Sequence, residues 1–422
     1  MGKLTHPEFI SLLIAMGTML LGARLAAELA RLLRMPVVTG EILIGILLGP
    51  SIFGLAYPQT FANLFPLYGS VGIALDGITK ISAVLLLFVS GMEVQMQLVL
   101  KQRKAAFSTS LLGIVFPFAV GAYLAWFFPE KFAASYHDKL LFSLFMGTAM
   151  AISALPVIAR TLMDLNLFRT RLGMIILASA MFDDLIGWLI FSLIISIMGK
   201  GKDPNIIWLE ISIILGYGIF MLSIGKKLID KSLPWIQKKF AWPGGILSLS
   251  LVACFYSAAF TESLGIHAVL GAFIAGIAVG DSVKLNERAR EIIHQFVTNI
   301  FAPLFFVSIG LKVNFVDNFS ASVTGWVLLI AYVGKMSGAT LGARIGGFKW
   351  NEALAVGAGM NARGAMEIIL GTLALQAGLI QETLFVSLVI MALVTSLTSG
   401  PLIKLFLGRS GFEGLVSPPG KG

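Results

Sequence analysis

Two adjacent carboxylates, Asp183 and Asp184, are the only charged groups in the apolar run 172–199. A carboxylate at the middle of a membrane helix costs roughly 2.5–3.5 kcal/mol on insertion scales, so it is read first as a working group with a partner to be found. It can hold a proton, or it can hold a hard cation through oxygen. Polar glue between helices is the alternative, and a neutral Asn or Ser would provide it at lower cost. Lys335, in "LLIAYVGKMSGATLGAR", is a candidate partner. Asp183 lies twelve residues beyond Arg171, or about 18 Å of helix, and Lys335 nine residues before Arg344, or about 13 Å. A lysine side chain closes that difference, which places an aspartate–lysine pair at one depth. Adjacent helical residues point about 100° apart, so one aspartate can face Lys335 while the other faces a cavity. Lys335 is then either a structural counter-ion or part of the chemistry.

Oxygen ligands and chain breakers occur together in two further stretches. "GTAMAISALPVIAR" carries Gly147, Thr148, Ser153 and Pro156, and "GAGMNARGAMEII" carries Gly357, Gly359, Asn361 and Gly364. Pro156 removes the backbone donor to residue 152. Both stretches are expected to be broken helices crossing near the midplane, with freed carbonyls and the oxygens of Thr148, Ser153 and Asn361 lining a site. The hydroxyls of Thr148 and Ser153 are either ligands or simply bonded to the preceding turn. Arg363 and Glu367 are spaced i, i+4 and can form a structural charge pair.

The elements that hold these residues must be membrane helices. The chain has 422 residues, 57% hydrophobic and 13% charged, where a soluble domain has roughly 25% charged. The single cysteine, Cys254, excludes an internal disulfide framework and a CxxC metal site, and the four histidines have no ligand spacing. The net charge of +9 reads as basic cytoplasmic loops, with no nucleic acid as partner. Spans of about 20 apolar residues are expected near 8–31, 36–54, 72–98, 105–128, 139–163, 171–199, 205–228, 244–262, 264–281, 299–316, 319–343, 350–377 and 381–407. Residues 283–298 read as an amphipathic connector at the membrane surface. Lysine and arginine fall 21 to 6 between alternate sets of loops, so the N-terminus is expected outside and the C-terminus in the cytoplasm.

The chain also repeats itself. Gly40, Gly45 and Gly49 of span two match Gly271, Gly276 and Gly280 of span nine. "FVSGMEV" (88–94) matches "FVSIGLKV" (306–313), and "MGTAM" (146–150) matches "VGAGM" (356–360). Each partner lies seven spans later, an odd number, so the two copies are inverted. The expected class is an all-α polytopic membrane protein of about 13 helices, with two inverted six-helix repeats and crossed broken helices, as in secondary transporters. The glycines read as close-packing positions. Asp183 and Asp184 align with Leu393 and Val394, so the acids belong to one half alone.

The motifs "VVTGEILIGILLGPSIFG", "LLFVSGMEV", "ASAMFDDLIGW", "YVGKMSGA" and "GMNARGAMEII" resemble the second branch of the monovalent cation:proton antiporter superfamily. That branch includes Nap-type Na⁺/H⁺ antiporters and the membrane domain of Kef-type potassium systems, and the resemblance covers about residues 8–407. It implies a Na⁺/H⁺ antiporter fold and a homodimer in the prokaryotic inner membrane. A scaffold would come from 1–104 and 241–317, an ion-binding core from 105–200 and 318–408, a linker helix from 201–240 and a short cytoplasmic tail from 409–422. It implies that Asp184 binds the cation, that Asp183 pairs with Lys335, and that Thr148 and Ser153 complete the site. "ISALP" lacks the acidic residue that some relatives carry there. No GxGxxG strand–helix unit follows the last span, so either a minimal transporter or a trimmed chain is expected.

The expected activity is exchange of Na⁺, with Li⁺, for H⁺ by alternating access, with no catalytic residues and no resident cofactor. Burial raises a carboxyl's pKa and a nearby ammonium lowers it, and the balance lets protons and cations compete for one group. Two acids would allow two protons per cation and voltage-sensitive transport. A K⁺/H⁺ exchanger uses the same chemistry. A sodium-coupled organic-anion symporter would need an anion site, for which Arg363 is the only deep candidate. An intramembrane aspartyl protease needs its acids on separate helices, and a channel needs a carbonyl filter.

Overall fold

The computed structural model describes residues 4–33, 35–66, 68–93, 103–132, 138–168, 170–200, 204–264, 268–282 and 284–416. The side chains of Asp184 and Pro156 lie outside the described set, as do the expected end of span three (94–98) and His267. Among the described residues the chain is helical, and nine helices are long and apolar enough to cross a membrane. Two of the expected spans are each broken in two. Lys139–Ala151 is followed by extended residues 152–154 and then Leu155–Asp164, with a proline in its first turn. Trp350–Met360 is followed by residues 361–364 and then Ala365–Gln376.

The chain divides into two compact units, Met1–Gln95 with Pro204–Asn318, and Met96–Asp203 with Phe319–Gly422. In the first unit the repeated glycines are contact points. A Cβ on Gly45 would lie 2.4 Å from the Val307 carbonyl oxygen, and one on Gly49 2.0 Å from that of Gly310. In the other copy, a Cβ on Gly276 would lie 2.0 Å from the Phe88 carbonyl and one on Gly280 2.3 Å from that of Met92. The glycine motif of each half therefore packs on the "FVS" motif of the opposite half.

Two boundaries differ from the sequence reading. The connector and span ten form one helix, Glu287–Lys312, in which a π-turn at Val297–Phe301 precedes Pro303. Pro303 cannot donate to residue 299, and the π-turn absorbs the missing bond without breaking the helix. Span seven runs on from Pro204–Phe220 through a π-turn at Met221–Gly225 into Lys226–Lys239. That basic end is amphipathic. Leu233 and Ile236 are buried, Lys226 pairs with Asp281, and Gln237 donates to the Lys284 carbonyl at 2.9 Å.

In the second unit, Arg103–Phe127, Arg171–Lys200 and Ala321–Ile345 surround the broken helices. The last of these has a π-turn at Ala331–Met336, which includes Lys335. Such turns are frequent at functional positions.

A candidate ion-binding site at the crossed helix breaks

A helix that stops inside the membrane leaves its last carbonyls without donors. In the first broken helix these are Ala149, Met150 and Ala151. Two buried cations from elsewhere in the unit bind them. Arg363 donates through Nη1 to the Ala149 carbonyl at 2.5 Å and through Nη2 to that of Met150 at 2.6 Å. Lys335 donates to the Ala151 carbonyl. Cations at a helix C-terminus also complement its dipole. The two breaks are joined directly as well. The Ala154 N–H donates to the Ala362 carbonyl at 2.9 Å, and the Ser153 hydroxyl donates to that of Met360 at 2.8 Å.

Lys335 is fully buried and donates to two further acceptors. One is the Gly113 carbonyl at 2.9 Å. Pro117 lies four residues beyond Gly113 inside Arg103–Phe127, so this carbonyl has no helical donor. The other is Asp183 Oδ2 at 2.5 Å, where both side chains are 0% exposed. An ammonium has three protons, and these three acceptors match them. Asp183 also accepts from Ser110 at Oδ1, 2.7 Å, and from Ser153 at Oδ2, 3.0 Å. Its buried carboxylate is thus held by one cation and two hydroxyls.

The structure brings Asp183, Lys335 and Ser153 together around the break. Asp184 is the next residue of Arg171–Lys200. Thr148 is fully buried, and its hydroxyl donates to Leu144 in the preceding turn at 2.8 Å. Asn361 ends Trp350–Met360 and is 1% exposed, and neither atom of its side-chain amide has a partner among the described residues. Buried amides of this kind call for water or an ion. Arg363 contacts Glu367 at 3.2 Å, leaving Glu367 Oε2 without a described partner. Glu367 lies in the first turn of Ala365–Gln376, where an acid suits the helix dipole. The sequence reading missed Ser110 and the carbonyl of Gly113. Pro117 was a usable signal for the second. A lone serine in an apolar helix was no signal for the first.

Together, the inverted repeats, the crossed breaks and the buried charge cluster define a membrane-embedded carrier of small ions. The chain matches the family "Sodium/hydrogen exchanger, transmembrane" over residues 17–408 and belongs to it. It is similar to the Na⁺/H⁺ antiporter NhaS4 of Synechocystis, 31% identical over 389 residues that cover 90% of this chain and 93% of the relative. It is 29% identical to an Enterococcus hirae Na⁺/H⁺ antiporter, over 94% of this chain and 98% of that one. It is also 29% identical to K⁺/H⁺ antiporter 1 of Saccharomyces cerevisiae, over 91% of this chain but 45% of that protein. The fold resembles that of the sodium proton antiporter MjNhaP1 of Methanocaldococcus jannaschii, with TM-score 0.67 at 15% identity, covering 97% of this chain and all of that one. The family is one of transporters and not of enzymes. Cation/proton antiport across a membrane is the activity these relatives support.

Proposed function

We propose that this protein exchanges Na⁺, and Li⁺ with it, for H⁺ by alternating access, with cation and proton competing for Asp184. The buried Asp183–Lys335 pair at the crossed breaks is the observation that carries this reading. The mid-span charges of the second unit are Asp183, Asp184, Glu367, Lys335 and Arg363. Three acids face two bases, so the cluster is short of one positive charge. One bound Na⁺ or one proton neutralises it. A carrier that moves only when Asp184 is occupied then exchanges one for the other.

Carboxylate, hydroxyl and carbonyl oxygens suit a hard alkali cation. Asp184 supplies the carboxylate, and the break region supplies Thr148, Ser153 and Asn361. Thr148 and Ser153 already donate their protons, so each still has lone pairs for a cation. Asp183 and Lys335 hold a second exchangeable proton, which makes transport electrogenic. The second unit is the moving core and the first the scaffold through which two copies associate. The protein sits in the prokaryotic inner membrane with its N-terminus outside. A K⁺/H⁺ exchanger is the second reading, favoured by the yeast relative's printed activity.

Proton flux in proteoliposomes tests the proposal, comparing Na⁺, Li⁺ and K⁺ at two membrane potentials. Na⁺ and Li⁺ should drive flux and K⁺ should not. The Asp184→Asn variant should abolish it, and retained Na⁺-dependent flux in that variant would sink the assignment.

A further inference from the structure

Gly69–Glu93, in the first unit, carries a charge cluster of its own, apart from the crossed breaks. Asp76 pairs with two ammoniums, Lys312 Nζ at Oδ1, 2.6 Å, and Lys80 Nζ at Oδ2, 3.0 Å. Lys312 closes Glu287–Lys312, and Lys80 lies one turn beyond Asp76. Asp76 is about 10 Å and Lys80 about 16 Å from the expected outer end of a helix about 36 Å long, so both lie at hydrocarbon depth. Yet none of the three is enclosed. The side chain of Lys80 is 65% exposed, that of Asp76 36% and that of Lys312 33%. Ile73 and Gly77 share the face of Lys80, within about 60° around the helix. Ile73 is exposed, and a Cβ on Gly77 would meet nothing within 4 Å. Among the described residues, the unit leaves this face uncovered.

Two cations and one acid leave a net positive charge. Against lipid it would carry the cost of any exposed mid-span lysine. Lysines usually lower that cost by stretching to the membrane surface, but this ammonium is tied to Asp76, which Lys312 already neutralises. Asp76 is the partner of Lys80 among the described residues, so two of the three ammonium protons are left for water. We propose that this face of Gly69–Glu93 lines a water-filled entry from the outer side of the membrane, and that Lys80 weakens the uptake of cations through it. The role of Lys80 rests on the exchange proposed above; the water-filled entry does not. A fixed charge along an entry acts on the approach of a cation and not on the oxygens that hold it, so it alters KM and leaves kcat alone.

Thiol labelling tests the entry. Methanethiosulfonates attack thiolates, which form in water and not in lipid. In intact cells, Lys80→Cys and Ile73→Cys should react with the membrane-impermeant cationic reagent MTSET. Leu21→Cys, on an exposed apolar face of His6–Leu32, should not react, and neither should the unaltered chain, whose Cys254 is buried. The entry is ruled out if Lys80→Cys reacts no faster than Leu21→Cys, or if it reacts only in inside-out vesicles. This readout needs no transport, so it decides the entry even where the exchange reading fails. Cation-driven proton flux in right-side-out vesicles tests the role of Lys80. KM for the external cation should fall about twofold from the unaltered protein to Lys80→Gln, and again to Lys80→Glu, at unchanged kcat. The differences should shrink as ionic strength rises. A KM indifferent to the charge at this position would overturn the role of Lys80.

Discussion

In the unit formed by residues 1–95 and 204–318, the repeated motifs meet backbone against backbone at Gly45, Gly49, Gly276 and Gly280. In the other unit the repeated broken helices meet through Arg363, Ser153 and the Ala154–Ala362 backbone bond, and Lys335 from a neighbouring helix binds the end of the first. Both are crossings of inverted copies, and they solve opposite problems. A glycine crossing joins two intact helices whose backbone groups are already bonded, so it needs only the absence of side chains. A broken crossing leaves carbonyls in a medium without water, so it needs donors. The donors here are cations. A buried cation in turn needs an anion, and Asp183 and Glu367 fill that place. The polarity of the second unit thus begins with a backbone requirement. In the proposed exchange an ion-binding carboxylate has to be added beyond the balanced pairs, and by sequence Asp184 is the acid in excess.

The sharpest way to break the comparison is a single methyl group in the first unit. A Cβ on Gly310 would lie 2.1 Å from the Gly45 carbonyl carbon and 2.2 Å from the Ile46 nitrogen, all backbone atoms that cannot rotate away. Gly310→Ala is therefore expected to cost about 4 kcal/mol or more, seen as loss of monodisperse protein. A normal yield with unchanged Tm would show that the helices slide freely at this crossing. In the second unit, Arg363→Met should cost about 3–5 kcal/mol, because it leaves Glu367 unpaired and two carbonyls bare. Glu367→Gln should cost less, since Arg363 keeps both carbonyls. Equal losses of Tm would mean that the ion pair matters and the helix end does not.

The first unit was readable because its rule is compositional. Glycines with gaps of five and four, repeated seven spans later, are visible in any sequence, and they mark the contacts. The breaks were readable for the same reason: Pro156, Gly357 and Gly364 are backbone signals. The targets of the cations were harder to see. Nothing near Arg363 in sequence points to Ala149 or Met150, because a bare carbonyl belongs to the backbone and has no residue type. Depth along two helices was enough to suggest an aspartate with Lys335, since both are anchored to basic ends on the same expected side. Ser110 could not be found that way, because a serine is common in an apolar helix and costs little there. The continuous helices Glu287–Lys312 and Pro204–Lys239 were missed because charge was taken to end a helix, whereas those charges lie on one face and bond to neighbouring chain.

Lys335→Met is the next test in size. It should cost about 3–5 kcal/mol by leaving Asp183 buried with two hydroxyls alone. Adding Asp183→Asn to it should recover part of the loss, because the amide carries no charge to compensate. If the pair carries the second proton, surviving transport in Lys335→Met should be weak and insensitive to membrane potential in proteoliposomes. An unchanged response to potential would leave the lysine as a cap for Ala151 and Gly113, and nothing more.

The smallest effect should be at Ser110, and it separates the two serines. Ser153 has one proton and two acceptors, Asp183 Oδ2 and the Met360 carbonyl, so its loss affects the crossing as well as the acid. Ser110 donates to Asp183 Oδ1 at 2.7 Å. A hydrogen bond to a charged group is worth about 1.5–3 kcal/mol, and Ser110→Ala should fall in that range. The cost should depend on the charge. Combined with Asp183→Asn, the same substitution should cost roughly 1 kcal/mol, the value for a neutral pair. Ser153→Ala should keep more of its cost in that background, because the Met360 carbonyl still lacks its donor. If both serines became equally dispensable once Asp183 was neutral, the Ser153–Met360 bond would not contribute, and the crossing would be held by Arg363 and the Ala154–Ala362 backbone bond.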